Sequence, residues 1–446
     1  MCSIVASSRL SPTIMPVGMV KRVQQDTYNR FLYAKDRGFS SHNPVPRTGS
    51  HYSDVYLPTG AQVGDLAIHR NDGTVSYIGF NVTLPIEAPR NLDQGNVIVR
   101  IKDYSPVALE ESVDYLRDDN RFPTPCVVGG TNDLQHPFET TENGENGPIR
   151  SISISAHASE GGYLGLPCGA TIYECTEVGA RKLQKWALDN ALALYDHYTG
   201  SIDVENGDMF VTTGCLKMAH YGLGVYYSRN PNYHYKGRRL FYPAPGITDF
   251  SPAQELKRAD DARDGTEIFD YTTWSDLTGP IASHPRDCTA TWRGFRISVS
   301  PSIYNTHITP RGLWRKLWRM LPTWLRPHIE SFPMPREMLS PCHDPCREII
   351  EQVYSQHTQI QVMLMHDDDL LPVLDGRDDV VLPDTHELLR RLSKTHFIVV
   401  DSGRRALFKP QSDFTLTWVD RIRQFSSWLF TIHKSRLIPL IYREHD

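Results

Sequence analysis

Four phrases between residues 151 and 228 decide the fold: Ser151-Ile152-Ser153-Ile154-Ser155-Ala156, Glu177 to Tyr198, Met209-Phe210-Val211-Thr212-Thr213-Gly214-Cys215, and Gly222 to Ser228. The first alternates polar and apolar residues, the period of a half-buried strand. In the second, Leu183, Trp186, Ala187, Leu194 and Tyr198 recur at near-helical spacing, and Gly200 can end the helix. The third and fourth read as strands. They lie close enough in sequence to pair as an antiparallel hairpin, which would put the 214–221 connection at a sheet edge.

Upstream, Val63 to Ile68 and Val75 to Val82 read as strands joined by Asn71-Asp72-Gly73, because Asp-Gly supplies the positive φ angles of a tight hairpin turn. Asn96 to Ile101 reads as a further strand. Val20 to Tyr33 reads as a short helix, 103–121 as an acidic helix-like run, and 129–150 as a polar loop. Downstream, 251–287 is charged and punctuated by Pro and Gly, as a linker or a long excursion would be, and Thr289 to Ser300 is a strand. In the last third, helices are expected over Pro345 to Tyr354, Thr385 to Leu392 and Leu416 to Ile432. Strands are expected over Ile360 to Met365, Phe397 to Val400 and Ala406 to Lys409. The expectation is an α+β protein: a mixed or sandwich-like β core with packed helices, and a smaller C-terminal α/β lobe. The division reads as an arm and short helix over 1–60, a β-rich core over 61–250, a charged linker or excursion over 251–287, and the lobe over 288–446.

The chain has 446 residues, 40% of them hydrophobic and 22% charged, with a net charge of −5. That is ordinary globular composition, and the negative balance argues against a nucleic-acid partner. No basic start leads into an apolar signal core, and no window approaches the ~20 apolar residues of a spanning helix. Eight cysteines in this length are too few for a disulfide framework and read as reduced, mostly buried thiols of a cytoplasmic protein.

Four sets of phrases, in a shared order, resemble an uncharacterised family of basidiomycete (mushroom-forming) fungi without assigned activity. They are Val63-Gly64-Asp65 with Asp72-Gly73 and Phe80-Asn81-Val82; Ser155, Glu160-Gly161-Gly162, Leu164 and Leu166-Pro167-Cys168-Gly169-Ala170; Asn206 to Cys215; and His366-Asp367-Asp368-Asp369. The chain departs from that family after Gly214-Cys215. Leu216, Lys217 and Met218 stand where an Asp and a Lys-Thr pair are usual, and His220-Tyr221 where Ser-Trp is usual. The resemblance therefore marks Cys215, Lys217 and His220 as a variable loop and implies no mechanism.

Three constellations could carry chemistry. Gln361 to Met365 is a buried-strand pattern running into His366-Asp367-Asp368-Asp369. Carboxylates at the C-terminal end of a strand sit where α/β sheets place ligands. Asp367 and Asp369, with His366, could therefore hold a divalent metal through hard oxygen ligands, as in metal-dependent glycosyltransferases; equally, an Asp there can cap the turn that follows. His284, Cys288, Cys342 and Cys346 would make a four-ligand zinc set, but Pro285 and Pro345 sit inside the two pairs and the spacing is not that of a zinc knuckle. Residues 311–321 form a basic aromatic helix with Trp314 and Trp318 on one side and Arg315, Lys316 and Arg319 on the other. It could lie on a membrane or dock a partner, or bury its Trp face in its own core. A Cys215/His220 pair lacks an orienting carboxylate, and no nucleophile elbow or phosphate loop is present.

With no convergent catalytic set, the sequence favours a cytoplasmic binding module for an unknown protein or small ligand. The alternatives are a metal-dependent transferase or hydrolase at 366–369, with a divalent metal as cofactor, and a peripheral membrane protein acting through 311–321.

Overall fold

The computed structural model describes residues 39–40, 59–69, 75–92, 104–111, 113–122, 126–129, 135–144, 147–156, 160–166, 169–201, 204–219, 221–228, 235–243, 268–274, 288–305, 344–374, 383, 385–410 and 440–442. These residues combine helices with a mixed, largely antiparallel sheet, as an α+β reading requires. The sequence-read helices at 20–33, 311–326 and 416–432 and the strand at 96–101 lie outside them.

Among the described residues the main sheet has eleven strands. Its central path runs β18 (Leu440–Tyr442), β16 (His396–Val400), β17 (Arg405–Pro410), β15 (Val362–His366), β14 (Cys288–Val299), β10 (Met209–Met218), β2 (Asp65–His69) and β3 (Val75–Asn81). Strand β1 (Phe39–Ser40) joins at β14, and β9 (Ala170–Cys175) joins at β10 and carries β4 (Tyr115–Phe122) on its other side. The β15–β17 and β16–β18 pairs are parallel; the other pairs are antiparallel.

Both faces of β10 are buried, because its alternation sends different residues into two cores. Met209 and Val211 join Leu66, Ile68, Phe295 and Ile297 beneath helix α2 (Glu177–Ser201). Phe210 meets Ala67 and Trp292 on the other face, and the register shift between Thr212 and Gly214 brings Cys215 to that same cluster. Helix α2 presents Leu183, Trp186, Ala187, Ala191, Leu194, Tyr195 and Tyr198, a one-sided stripe at helical spacing. Its first turn comes so close to the 110–114 segment that a Cβ on Gly179 would lie 2.1 Å from the Asp114 carbonyl oxygen. On the opposite face of the C-terminal strands, helices α3 (Pro345–Gln356) and α5 (Thr385–Thr395) pack on Met363, Met365, Ile398 and Phe408. Helix α3 begins as its sequence demands, with Asp344 accepting from the Arg347 N–H at 3.1 Å and Pro345 in the first turn.

Four local expectations are corrected. Residues 115–122 are an edge strand rather than part of a helix. The polar run 129–150 contains β6 (Gln135–Gly144) and the start of β7 (Gly147–Ala156), which pair with each other. The excursion 251–287 contains β13 (Ile268–Trp274). The central hairpin does not form: β10 pairs with β14, β2 and β9, whereas β11 (Gly222–Ser228) belongs to a separate four-stranded sheet between β8 (Glu160–Leu166) and β13. Sequence proximity favoured a hairpin; the long partner strands at 288–299 and 268–274 take both ladders instead.

Candidate functional site

The His366-Asp367-Asp368-Asp369 phrase turns the corner at the end of β15, as a single 3₁₀ turn over Asp367–Asp369. Each carboxylate there meets a donor of the protein. Asp369 accepts from the His366 N–H at 2.8 Å, closing a capping box. Buried Asp367 accepts from the Gly294 N–H at 2.9 Å, so a side chain continues the β14 ladder where the β15 backbone turns away. Its second oxygen takes a weak S–H contact from Cys346 at 3.8 Å. Asp368 is held by Arg293 through both oxygens, at 2.6 Å from Nε and through Nη2.

Arg293 reaches Asp368 on one side and Glu174 on the other. Gly214 lies between them: the arginine's Cβ and Cδ pass 3.5 and 3.6 Å from where a Cβ at 214 would stand. The tighter neighbour is the Tyr173 carbonyl oxygen, 3.1 Å from the same point, so a side chain at 214 would press on the β9 backbone.

Beneath this layer, His366 Nε2 lies 2.7 Å from the Thr213 hydroxyl, and His366 Nδ1 lies 3.4 Å from an Asp368 oxygen. Hydroxyl, imidazole and carboxylate in that order invite comparison with a nucleophile relay. The hydrogen bonds assign the opposite polarity. The Asp368 N–H donates to Nδ1 at 3.0 Å, so Nδ1 carries the lone pair and Nε2 the hydrogen. Nε2–H then donates to Thr213, whose own hydroxyl donates to the Arg293 carbonyl at 3.2 Å. A relay needs the imidazole to accept from the hydroxyl; here it donates. Burial holds His366 down to about 4, keeping the ring neutral, with Asp368 opposing that shift and Arg293 adding to it. Burial pushes Asp369 up to about 8, against its hydrogen bond from the His366 N–H and with its neighbours Asp368 and Asp367.

The three proposed metal ligands thus point at separate protein donors. Among the described residues no group of three or more His, Cys, Asp or Glu is placed to hold a metal ion. Of the zinc set, His284 and Cys342 lie outside the described residues. Cys288 packs with Leu216 and Met218, whereas Cys346 packs with Ile349 and Met363 in a different core. The basic-helix residues Trp314, Arg315, Lys316, Trp318 and Arg319 lie outside the described residues, as does His220. No helix among the described residues is long and apolar enough to cross a membrane.

The variable loop is corrected as well: Cys215 and Lys217 are interior positions of β10. The Cys215 thiol is buried, which pushes it up to about 11, and it contacts the Ala61 carbonyl at 3.6 Å. A thiol so held is not a nucleophile near neutral pH. Lys217 donates to the Thr59 carbonyl at 2.5 Å and stands over the Tyr173 ring at 5.0 Å.

A second charged centre joins Asp65, quoted above only within a resembling phrase, to Arg90, which nothing in the sequence marks. Asp65 and Arg90, both buried, pair through two bonds of 3.0 and 2.5 Å. Asn81 and the Gln62 N–H also donate to Asp65, each at 2.7 Å. Arg90 donates further to the Thr59 hydroxyl and the Gly60 carbonyl, each at 2.7 Å. Thr213, Arg293, Glu174 and Gly294 were likewise not singled out. An arginine and a glycine in the middle of the apolar 288–299 strand were the available hint.

No protein-family model matches this chain, and no curated protein matches it in sequence.

Proposed function

We propose that this chain is a cytoplasmic binding or interaction module without catalysis of its own, in which the His-Asp-Asp-Asp corner serves as a structural lock. One observation carries the reading: each side chain of the corner is bonded to the protein, and the imidazole is set in the tautomer that cannot take a proton from Thr213. General bases and metal ligands need a free lone pair directed at the substrate or ion. These lone pairs are directed at Gly294, Arg293, and the backbone N–H groups of His366 and Asp368.

Membership of the basidiomycete family is part of the same proposal. Its support is that each resembling phrase contributes to a turn that the fold pins: Asp65 and Asn81 at the Arg90 pair, Gly169 at φ +66°, Gly207 at φ +84°, and Asp369 at the capping box. The β core over 61–250 and the C-terminal α/β lobe remain the proposed division.

Calorimetric titration of the full chain with Mg²⁺, Mn²⁺ and Zn²⁺ separates the readings. The lock predicts no saturable heat and no rise in melting temperature. A saturable heat lost in Asp367→Asn or Asp369→Asn would replace it with the metal-dependent transferase or hydrolase.

A further inference from the structure

The chain contains three Arg-Arg pairs, at 238–239, 390–391 and 404–405, and one of them, Arg390-Arg391, has a hydroxyl two residues further on, at Ser393. A serine with guanidinium groups two and three residues before it is the pattern that basophilic serine kinases read, because their substrate clefts set carboxylates against those two positions. Between Glu387 and Asp401 no acid interrupts the run, and Lys394 extends its positive charge.

Ser393 lies in the last turn of α5. Its hydroxyl donates to the Arg390 carbonyl at 2.9 Å, and this bond is exposed. Such back-bonding slightly weakens a helix, and a final turn is the part of a helix that opens most readily. Arg390 keeps 47% and Arg391 24% of its side-chain surface in water, and Lys394 is exposed. Both arginines donate to Glu387, Arg390 at 2.6 Å and Arg391 at 2.7 Å. Leu392, between them and the serine, is fully buried. A kinase takes its substrate extended, so the last turn must open and withdraw Leu392 before the two arginines are read.

We infer that Ser393 is a phosphorylation site, reached by local opening of the last turn of α5 and read through Arg390 and Arg391. The transfer moves the γ-phosphoryl group of a nucleoside triphosphate to Ser393 Oγ. The Oγ–P bond forms, the bond from that phosphorus to the β-phosphate oxygen breaks, the serine proton passes to the kinase base, and the diphosphate leaves. The new dianion stands one turn from Arg390 on the same helix face and competes with Glu387 for that guanidinium. It also meets the negative end of the helix dipole. Both effects loosen α5, whose Leu388, Leu389 and Leu392 share the C-terminal core with Ile398.

Incubation of the folded full chain with magnesium ATP and a basophilic serine kinase, mapped by mass spectrometry, tests this beside a synthetic peptide spanning 387–396. Exposing one buried leucine should make the folded chain roughly 10- to 150-fold slower than the peptide. That rate should change less than about threefold in 1 M urea, because opening one turn exposes little new surface. Ser393→Ala should abolish the label, and in the peptide Arg390→Gln or Arg391→Gln should each lower labelling at least about tenfold. The labelled chain should exchange its amide hydrogens over 385–395 at least about threefold faster than the unlabelled chain. A peptide labelled while the chain stays more than about a thousandfold slower, or a chain labelled only as urea unfolds it, would overturn the inference, since the site is then reached by global unfolding alone. So would phosphate on other residues with Ser393 unmodified, a peptide that takes no label, or exchange over 385–395 that labelling leaves unchanged.

Discussion

The Asp65–Arg90 corner and the His366–Asp369 corner solve one problem in opposite ways. At the first, one acid and one base are both buried, and four further partners complete their hydrogen bonding. At the second, three consecutive acids face a single arginine, and backbone N–H groups take two of the three. The first is neutral and closed. The second carries surplus negative charge; burial, reinforced by Asp368 and Asp367, pushes one member, Asp369, toward its protonated form. The comparison teaches that a cluster conspicuous in sequence can be the less demanding one in energy: Asp368 keeps part of its surface in water, whereas Asp65 and Arg90 have no such outlet.

That contrast breaks most severely at Arg90. Arg90→Met should cost about 3–5 kcal/mol in urea unfolding, since it leaves Asp65 buried without its cation. The double change with Asp65→Asn should recover much of the loss. A cost below about 1 kcal/mol would show that the pair is solvated, and the contrast would fail.

The second corner should show itself in acid. His366 is held near 4 in the fold against an ordinary value of 6.5, so the unfolded chain takes up the proton first. Its contribution is complete above pH 6.5 and is lost as pH falls toward 4, by up to roughly tenfold in the folding equilibrium per pH unit. Asp369, pushed up to about 8, works in the opposite direction as pH rises from its ordinary value. The informative measurement is therefore the difference between the native chain and His366→Gln over pH 4–7. Parallel curves would mean that His366 is exposed.

The mildest test is Thr213→Val, which should cost about 1–3 kcal/mol by leaving the buried His366 Nε2–H without its acceptor. A relay nucleophile at 213 would instead leave stability unchanged on substitution and abolish labelling by an acyl probe.

Much of the framework could be read from alternation. Strands at 65–69, 75–81, 288–299 and 362–366 and the 396–410 pair fall where the apolar period puts them, and α2 falls where Leu183 to Tyr198 repeat. What failed was what alternation does not carry. Gln135 to Gly144 has almost no apolar residues, so nothing local distinguishes that strand from a loop. The separation of β10 from β11 is set by partners many residues away. At the site, the sequence showed which residues stand at the strand end. It could not show that Asp367 would meet Gly294 or that Thr213 would lie beneath His366, because those neighbours come from strands remote in sequence. The pairing of Asp65 with Arg90 was invisible for the same reason.

The placement of β14 has a kinetic consequence. It pairs Trp292 with Phe39 near one end of the chain and with Cys215, and it pairs Phe295 with His366 in the last quarter. The central strand therefore closes loops that enclose most of the molecule, and β14 cannot gain its last partner until synthesis has passed residue 366. Such long closures slow folding and leave strand edges open meanwhile. The nascent chain should depend on chaperones more than its finished stability would suggest.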